Sequence, residues 1–478
     1  MTSSVSIGWV KAMLSKVPLM GKTALYHTLG LSETSQEWDL RTALVVNIIR
    51  SFVVDGPPES ISRVQRLSIH DPGIKGRIWI SKATLPVPKE DDVRQALFKT
   101  IDRLKDSGEA SGGYLEPQLL PVEAEWTGYR ADATPSSLLP DISEEEKYKE
   151  MMREVSSPAT VLYLHGGALY LMDPATHRPT TKKLAKLTKG RCLSVRYRLA
   201  PQNPFPSALL DALVSYLNLL YPPPGSFHTA VEPRHIVFGG DSAGGNLCLA
   251  LLQTILELQR QGLKILWYGA ERDVPIPAGL ALSSPWADVT HSSPSCEINS
   301  VYDYLPPQSM QTEKMKLPSC ALWPANPPRK HLYAEDNMLY HPLVSPQVTQ
   351  SWVGSCPIFI ATGSELLTDE DKYLAMRMAS QGVPVVFEEY VAMPHCFAMI
   401  MRALPASTRY FTSWATFIQE AIANPEEVKT RGVLIQPKTL KEEPLEVTSL
   451  LPWTHEEVLS RVRERAHKLS REFPISKL

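Results

Sequence analysis

The chain has 478 residues, of which 43% are apolar and 21% charged, enough to bury a sizeable core. Its 49 Lys and Arg against 51 Asp and Glu give a formal charge of −2, which argues against a general nucleic-acid or anionic-membrane binder. The six cysteines are scattered without a C-x-x-C pair, so neither a zinc knuckle nor a dithiol redox site is indicated.

Lys11 and Lys16 interrupt the apolar stretch at the N-terminus, which argues against a secretory h-region there. The apolar residues Trp9, Val10, Met13 and Leu14 fit a stripe packed into a cap better than a lipid-surface helix. The most apolar segment, Ala43 to Val54, carries Arg50 and is too short for a transmembrane segment. Thr42–Val54 and Val93–Leu104 read as amphipathic helices, and Arg66–His70, Arg77–Ser81 and Val122–Tyr129 as strands. From Thr160 the chain alternates short β-branched runs with helical patterns. Strands are predicted at Thr160–Leu164, Cys192–Tyr197, His235–Phe238, Gly279–Ser284, Pro357–Ala361 and Val385–Tyr390. Helices are predicted at Ser207–Leu220, Ala243–Gln261, Asp369–Gln381 and Ser407–Ala423. This alternation predicts an α/β fold with a mostly parallel central sheet flanked by helices. The organisation expected is 1–120 as N-terminal cap helices and leading strands, 121–423 as the catalytic core and 424–478 as a C-terminal extension. Within the core, 287–356 is a long Pro- and Ser-rich insertion with the length of a lid. Past Asn424 the chain reads as charged and irregular until Thr454 and Glu457, spaced as a capping box, open a helix with Val458, Val462, Ala466 and Leu469 on one face.

Chemistry concentrates at Gly240-Asp241-Ser242-Ala243-Gly244, a G-x-S-x-G between a predicted strand and a predicted helix. A turn that sharp brings the residues two positions on either side of its centre together, so glycine there frees Ser242 to project its hydroxyl. The pentapeptide alone arises by chance in about one chain of this size in seven, so its strand–turn–helix setting carries the weight. His165-Gly166-Gly167-Ala168 follows a strand directly, as a loop would whose amides face a developing oxyanion; Gly166, Gly167 and Ala243 are the candidate donors. A serine hydroxyl needs a base, and His395 lies at the end of the last core strand. Glu365, after the preceding strand, is the candidate carboxylate to orient it, with Asp369 as the alternative acid.

These stretches resemble the hormone-sensitive-lipase-like family of α/β-hydrolases, especially its fungal-type esterases and lipases. The resemblance rests on HGGALYLMDPATHRP at 165–179, YRLAPQNPFPSALLDAL at 197–213, GGDSAGGNL at 239–247, and GSELLTDE with MPHCF at 363–370 and 393–397. It implies the α/β-hydrolase fold, Ser242 as nucleophile, His395 as general base and acid, and no metal or cofactor. It also implies a small-molecule substrate, a carboxylic ester of a small or medium lipophilic acid. A thioester of acyl-chain or secondary metabolism is the alternative, and a non-catalytic ligand-binding scaffold the reading from another class. Two positions depart from the family pattern: Glu365 stands where Asp is usual, and Ala168 where many members have a third glycine. By the same resemblance His165 is a structural part of the loop, not a base.

The final residues Ser476, Lys477 and Leu478 form the tripeptide read by the peroxisomal import receptor, so the expected location is the peroxisomal matrix. Because that receptor reads a free C-terminus, a reporter fused after Leu478 should leave the protein in the cytosol, while a reporter fused before Met1 should be imported. Import of both fusions would contradict the assignment.

Overall fold

The computed structural model of the chain describes residues 13–105, 113–314 and 316–472. The terminal Ser476-Lys477-Leu478, and Trp9 and Val10 of the N-terminal stripe, lie outside them. The core is a ten-stranded sheet: β1 (Ile78–Leu85), β2 (Val122–Tyr129), β3 (Thr160–Leu164), β4 (Arg191–Arg196), β5 (Ile236–Asp241), β6 (Gly279–Ser283), β7 (Ile358–Gly363), β8 (Val385–Tyr390), β9 (Arg431–Ile435) and β10 (Glu442–Leu445). Their spatial order is β1-β2-β4-β3-β5-β6-β7-β8-β9-β10. The run from β4 to β9 is parallel, with β1 and β2 antiparallel at one end and β10 antiparallel at the other.

Both faces of the sheet are covered, and the strand sequences show why. In β3, Leu162 and Leu164 enter one apolar cluster while Val161 and Tyr163 enter the other. In β7, Ile358 and Ile360 oppose Phe359 and Ala361 in the same way. A strand apolar on both faces is stable only between two helical layers. The first layer holds α4 (Asp92–Leu104), α7 (Ser207–Leu220), α8 (Ala243–Arg260) and α9 (Thr368–Ser380). The second holds α6 (Pro174–Thr188) and α10 (Pro405–Ala423), with Trp414 and Phe417 against the sheet.

Ahead of β1 come α1 (Val17–Thr28), α2 (Leu40–Val53) and α3 (Ile61–Ser68). Here the structure corrects the strand expected at Arg66–His70, most of which belongs to α3. The alternation of Leu67 and Ile69 suggested a half-buried strand, yet both side chains are exposed; the buried residues are Ile61 and Gln65, one helical turn apart. Leu14, at 62% exposure, is not packed into a cap either.

The helix α5 (Glu144–Glu154), which no apolar stripe announced, is closed by a capping box between Ser143 and Glu146. Beyond Asn424 the chain is not irregular: β9 and β10 extend the sheet, and α11 (His455–Glu472) follows. The box that opens α11 has the Glu457 amide donating to Thr454 Oγ1 at 3.2 Å and the Thr454 amide to Glu457 Oε2 at 2.8 Å. Val458 and Val462 pack with Tyr340 and Val348 of the insertion and Tyr373 of α9. The insertion is therefore held between the core and the last helix rather than standing free of it.

Val462 is fully buried and Leu67 is 65% exposed. Val462→Ala should lower the free energy of unfolding by about 2 kcal/mol in denaturant titration. Leu67→Ala should stay within about 0.5 kcal/mol of the parent; a larger loss at Leu67 would restore the strand.

Candidate active site

The chain passes from β5 to α8 through one residue, Ser242, whose backbone is at φ 52° and ψ −121°. That region is strained for any residue with a Cβ, at about 1–3 kcal/mol, and persists only where the surroundings fix it. Three backbone hydrogen bonds do so: the Ser242 amide donates to Ser283 O at 2.9 Å, and its carbonyl accepts from Asn246 at 3.1 Å and Trp286 at 3.0 Å. A Cβ on Gly240 would lie 2.6 Å from the Gly244 carbonyl carbon, so the glycines of the motif meet as its spacing requires. Ser242 remains partly exposed while its neighbours on both sides are buried.

His395 sits on the turn after β8 and Glu365 on the turn after β7. Their parallel strands are adjacent and place both turns at the same end of the sheet as Ser242. His395 Nδ1 lies 3.0 Å from Glu365 Oε2, with Glu365 at 0% exposure and His395 at 4%. An ionised carboxylate only accepts, so the proton of this bond belongs to Nδ1 and the neutral ring presents Nε2 as its lone pair. Burial pushes the His395 imidazole down, but Cys396 and Glu365 more than reverse this and leave it well above its ordinary value. Burial raises the Cys396 thiol to about 11, so it is uncharged near neutral pH and Glu365 supplies the charge. Burial likewise raises Glu365, while His395 and several hydrogen bonds outweigh it and hold the carboxylate below its usual range. Nε2 contacts Cys396 Sγ at 3.5 Å. Among the described residues, no hydrogen bond joins it to Ser242 Oγ; bonds of this kind often tighten only once substrate is bound.

Asp369 is turned elsewhere. Its carboxylate accepts the Ser295 amide at 2.8 Å and its own amide donates to Ser295 Oγ at 3.2 Å, so it fastens the insertion to the start of α9.

The loop after β3 corrects one expected donor. The Gly166 amide donates to Asp241 Oδ1 at 3.2 Å, and a Cβ at Gly166 would collide with Asp241 Oδ2. Gly166 is thus an anchor of the loop, with its amide already used. Gly167, Ala168 and Leu169 follow at φ 110°, 53° and 66°. Among the described residues, the amides of Gly167, Ala168 and Ala243 have no protein acceptor. Ala168 was missed because a glycine pattern says nothing of which amide is already engaged.

Asp241 also accepts from Tyr163 OH at 2.6 Å and pairs with His177 Nε2 at 3.3 Å. His165 stacks on Tyr197 with ring centroids 4.3 Å apart, and burial and the neighbouring His177 push it down to about 4. It is therefore neutral and packed, in keeping with a part of the loop.

A residue that no motif announced completes the site. Asp303 in the insertion is fully buried, and its carboxylate accepts from Tyr304, Leu305, His395 and Leu366, all through backbone amides. Burial and the nearby charge of Glu365 raise it to about 6. Among the described residues, no group of three or more His, Cys, Asp or Glu side chains is placed to hold a metal ion, and no helix is long and apolar enough to cross a membrane.

The α/β-hydrolase-fold family matches residues 161–399, the span from β3 to just beyond His395. An acetyl-hydrolase of Streptomyces hygroscopicus is 29% identical over 263 residues, covering 55% of this chain and 76% of that protein. An esterase of Acinetobacter venetianus is 28% identical over 283 residues, covering 59% and 78%. Hormone-sensitive lipase of Bos taurus is 29% identical over 157 residues, 32% of this chain and 18% of that one. Among solved structures, an esterase of the bacterial hormone-sensitive lipase family superposes with a TM-score of 0.52 at 22% identity, covering 81% of this chain and 99% of that one. This chain belongs to the α/β-hydrolase-fold family, in its hormone-sensitive-lipase-like branch, and is a hydrolase of the esterase and lipase type.

Proposed function

We propose that this chain is a serine hydrolase that cleaves carboxylic esters of small or medium lipophilic acyl groups through an acyl-enzyme on Ser242. The observation that carries the proposal is the buried Glu365–His395 pair, 3.0 Å apart, at the same end of the sheet as a strained serine. In this reading Ser242 Oγ gives its proton to His395 Nε2 and attacks the acyl carbonyl. Glu365 holds the Nδ1 proton and stabilises the imidazolium as it forms. The carbonyl oxygen gains negative charge and meets the amides of Gly167, Ala168 and Ala243. One such donor contributes roughly 3–4 kcal/mol of transition-state stabilisation. His395 then protonates the departing alcohol, and a water deprotonated by the same imidazole releases the acid and regenerates Ser242. A thioester would follow the same steps with a thiol leaving.

A fluorophosphonate probe should label Ser242, and Ser242→Ala should abolish both the adduct and esterase activity. Glu365→Gln should lower kcat by about a thousandfold or more, by analogy with loss of the orienting carboxylate in other triads. Asp369→Asn should lower kcat far less than Glu365→Gln, as its carboxylate accepts the Ser295 amide and does not face the imidazole. The reverse ranking would exchange the two acids. Folded wild-type protein that takes up no probe would favour the ligand-binding scaffold.

A further inference from the structure

We infer that Asp303 is a positioning residue whose carboxylate locks the acid loop and the histidine loop to each other, thereby setting the Glu365–His395 geometry. The inference rests on the roles proposed above for those two residues. Oδ2 accepts the Leu366 amide at 3.0 Å, one residue after Glu365, and Oδ1 accepts the amide of His395 itself at 3.4 Å. The amides of Tyr304 at 2.7 Å and Leu305 at 3.3 Å complete the set on Oδ1. The last two bonds are those of an ordinary turn, made by any aspartate that caps its own loop. The first two reach 63 and 92 residues along the chain, and a local turn has no need of them.

The remainder of the segment repeats the grip on both loops. Asn299 Nδ2 donates to Glu365 O at 2.9 Å, Ser295 Oγ to Leu366 O at 2.7 Å, and Tyr304 OH to His395 O at 3.0 Å. From outside, Arg50 of α2 donates to the carbonyls of Ser300 at 2.8 Å, Val301 at 3.0 Å and Asp303 at 2.8 Å. Arg50 therefore fixes the main chain of the segment, while the Asp303 carboxylate fixes the two loops. Among the described residues, no Lys, Arg or His side chain forms an ion pair with that carboxylate. Its partners are main-chain amides, which cannot rearrange as side chains can.

Asparagine is the discriminating substitution because it has nearly the same shape but offers one acceptor and one donor. Whichever way the amide turns, its NH2 group faces a main-chain N–H. In Asp303→Asn the kcat for a short p-nitrophenyl ester should fall about tenfold to a hundredfold, with KM within about twofold, since misplacing a catalytic group by 1 Å has effects of that size. Amide hydrogen exchange should quicken in 363–370 and 393–397 while the rest of the sheet is unchanged; this second readout does not depend on activity. Wild-type kcat and wild-type exchange in folded Asp303→Asn would overturn the inference. If that variant fails to fold, Arg50→Gln decides: faster exchange in both loops and a lower kcat at unchanged KM support the lock, and no change overturns it. Absence of a Ser242 adduct in the wild type would remove the catalytic reading, and the exchange experiment would still decide whether Asp303 holds the loops together.

Discussion

A carboxylate with no solvent exposure lies 3.0 Å from an imidazole with almost none, and the rest of the site depends on that bond between Glu365 and His395. An unpaired carboxylate in this position would be destabilising by several kcal/mol, so the fold holds it only together with its partner. The pair also removes freedom from the ring: with Nδ1 committed to Glu365, the orientation of Nε2 is fixed. Glu365 is further tied by the Leu367 amide at 3.1 Å and Thr362 Oγ1 at 3.3 Å, so the longer arm of a glutamate has little room to wander where an aspartate is usual.

The parallel sheet makes such a pair possible. It delivers the turns after β5, β7 and β8 to one end, where ligands of open α/β sheets are bound. The same end holds the loop after β3, and one residue joins that loop to the serine turn. Asp241 is the last residue of β5 and directly precedes Ser242; its carboxylate takes the Gly166 amide, the Tyr163 hydroxyl and His177. The position of the free amides at Gly167 and Ala168 is therefore referenced to the turn that carries Ser242. The insertion does for the turns of Glu365 and His395 what Asp241 does for the loop after β3, and α11 packs behind it through Val458 and Val462.

Much of this was legible in the sequence because it follows from local rules. The glycines around Ser242 answer a steric demand within five residues, and the strand pattern of β3 to β8 is set by burial on two faces. His395 and Glu365 were found by chain order, which the parallel topology imposes. What escaped depends on contacts between distant segments. That the Gly166 amide is already engaged is decided by Asp241, 75 residues away. Glu365 and Asp369 are alike as residues and differ in what each faces: an imidazole, or Ser295 of the insertion. Asp303 belongs to no motif, and only the folded insertion brings it to the Leu366 and His395 amides. In α3 the alternating pattern misled because Gln65, a polar residue, is the buried one, donating to Tyr170 O at 2.8 Å and Ala200 O at 2.7 Å.

The measurement that bears most directly on the Glu365–His395 bond is the pH dependence of kcat/KM in the wild type and in Glu365→Gln. The imidazole must be neutral to accept the serine proton, and the buried carboxylate raises it well above its ordinary value, so activity should be lost on the acid side while a free histidine would still be deprotonated. The wild-type acid limb should lie above about 6.5, the ordinary histidine value. Glu365→Gln removes the charge and should move that limb to lower pH while lowering the plateau. Acid limbs that coincide in the two proteins would show that Glu365 does not govern His395 and would contradict the account.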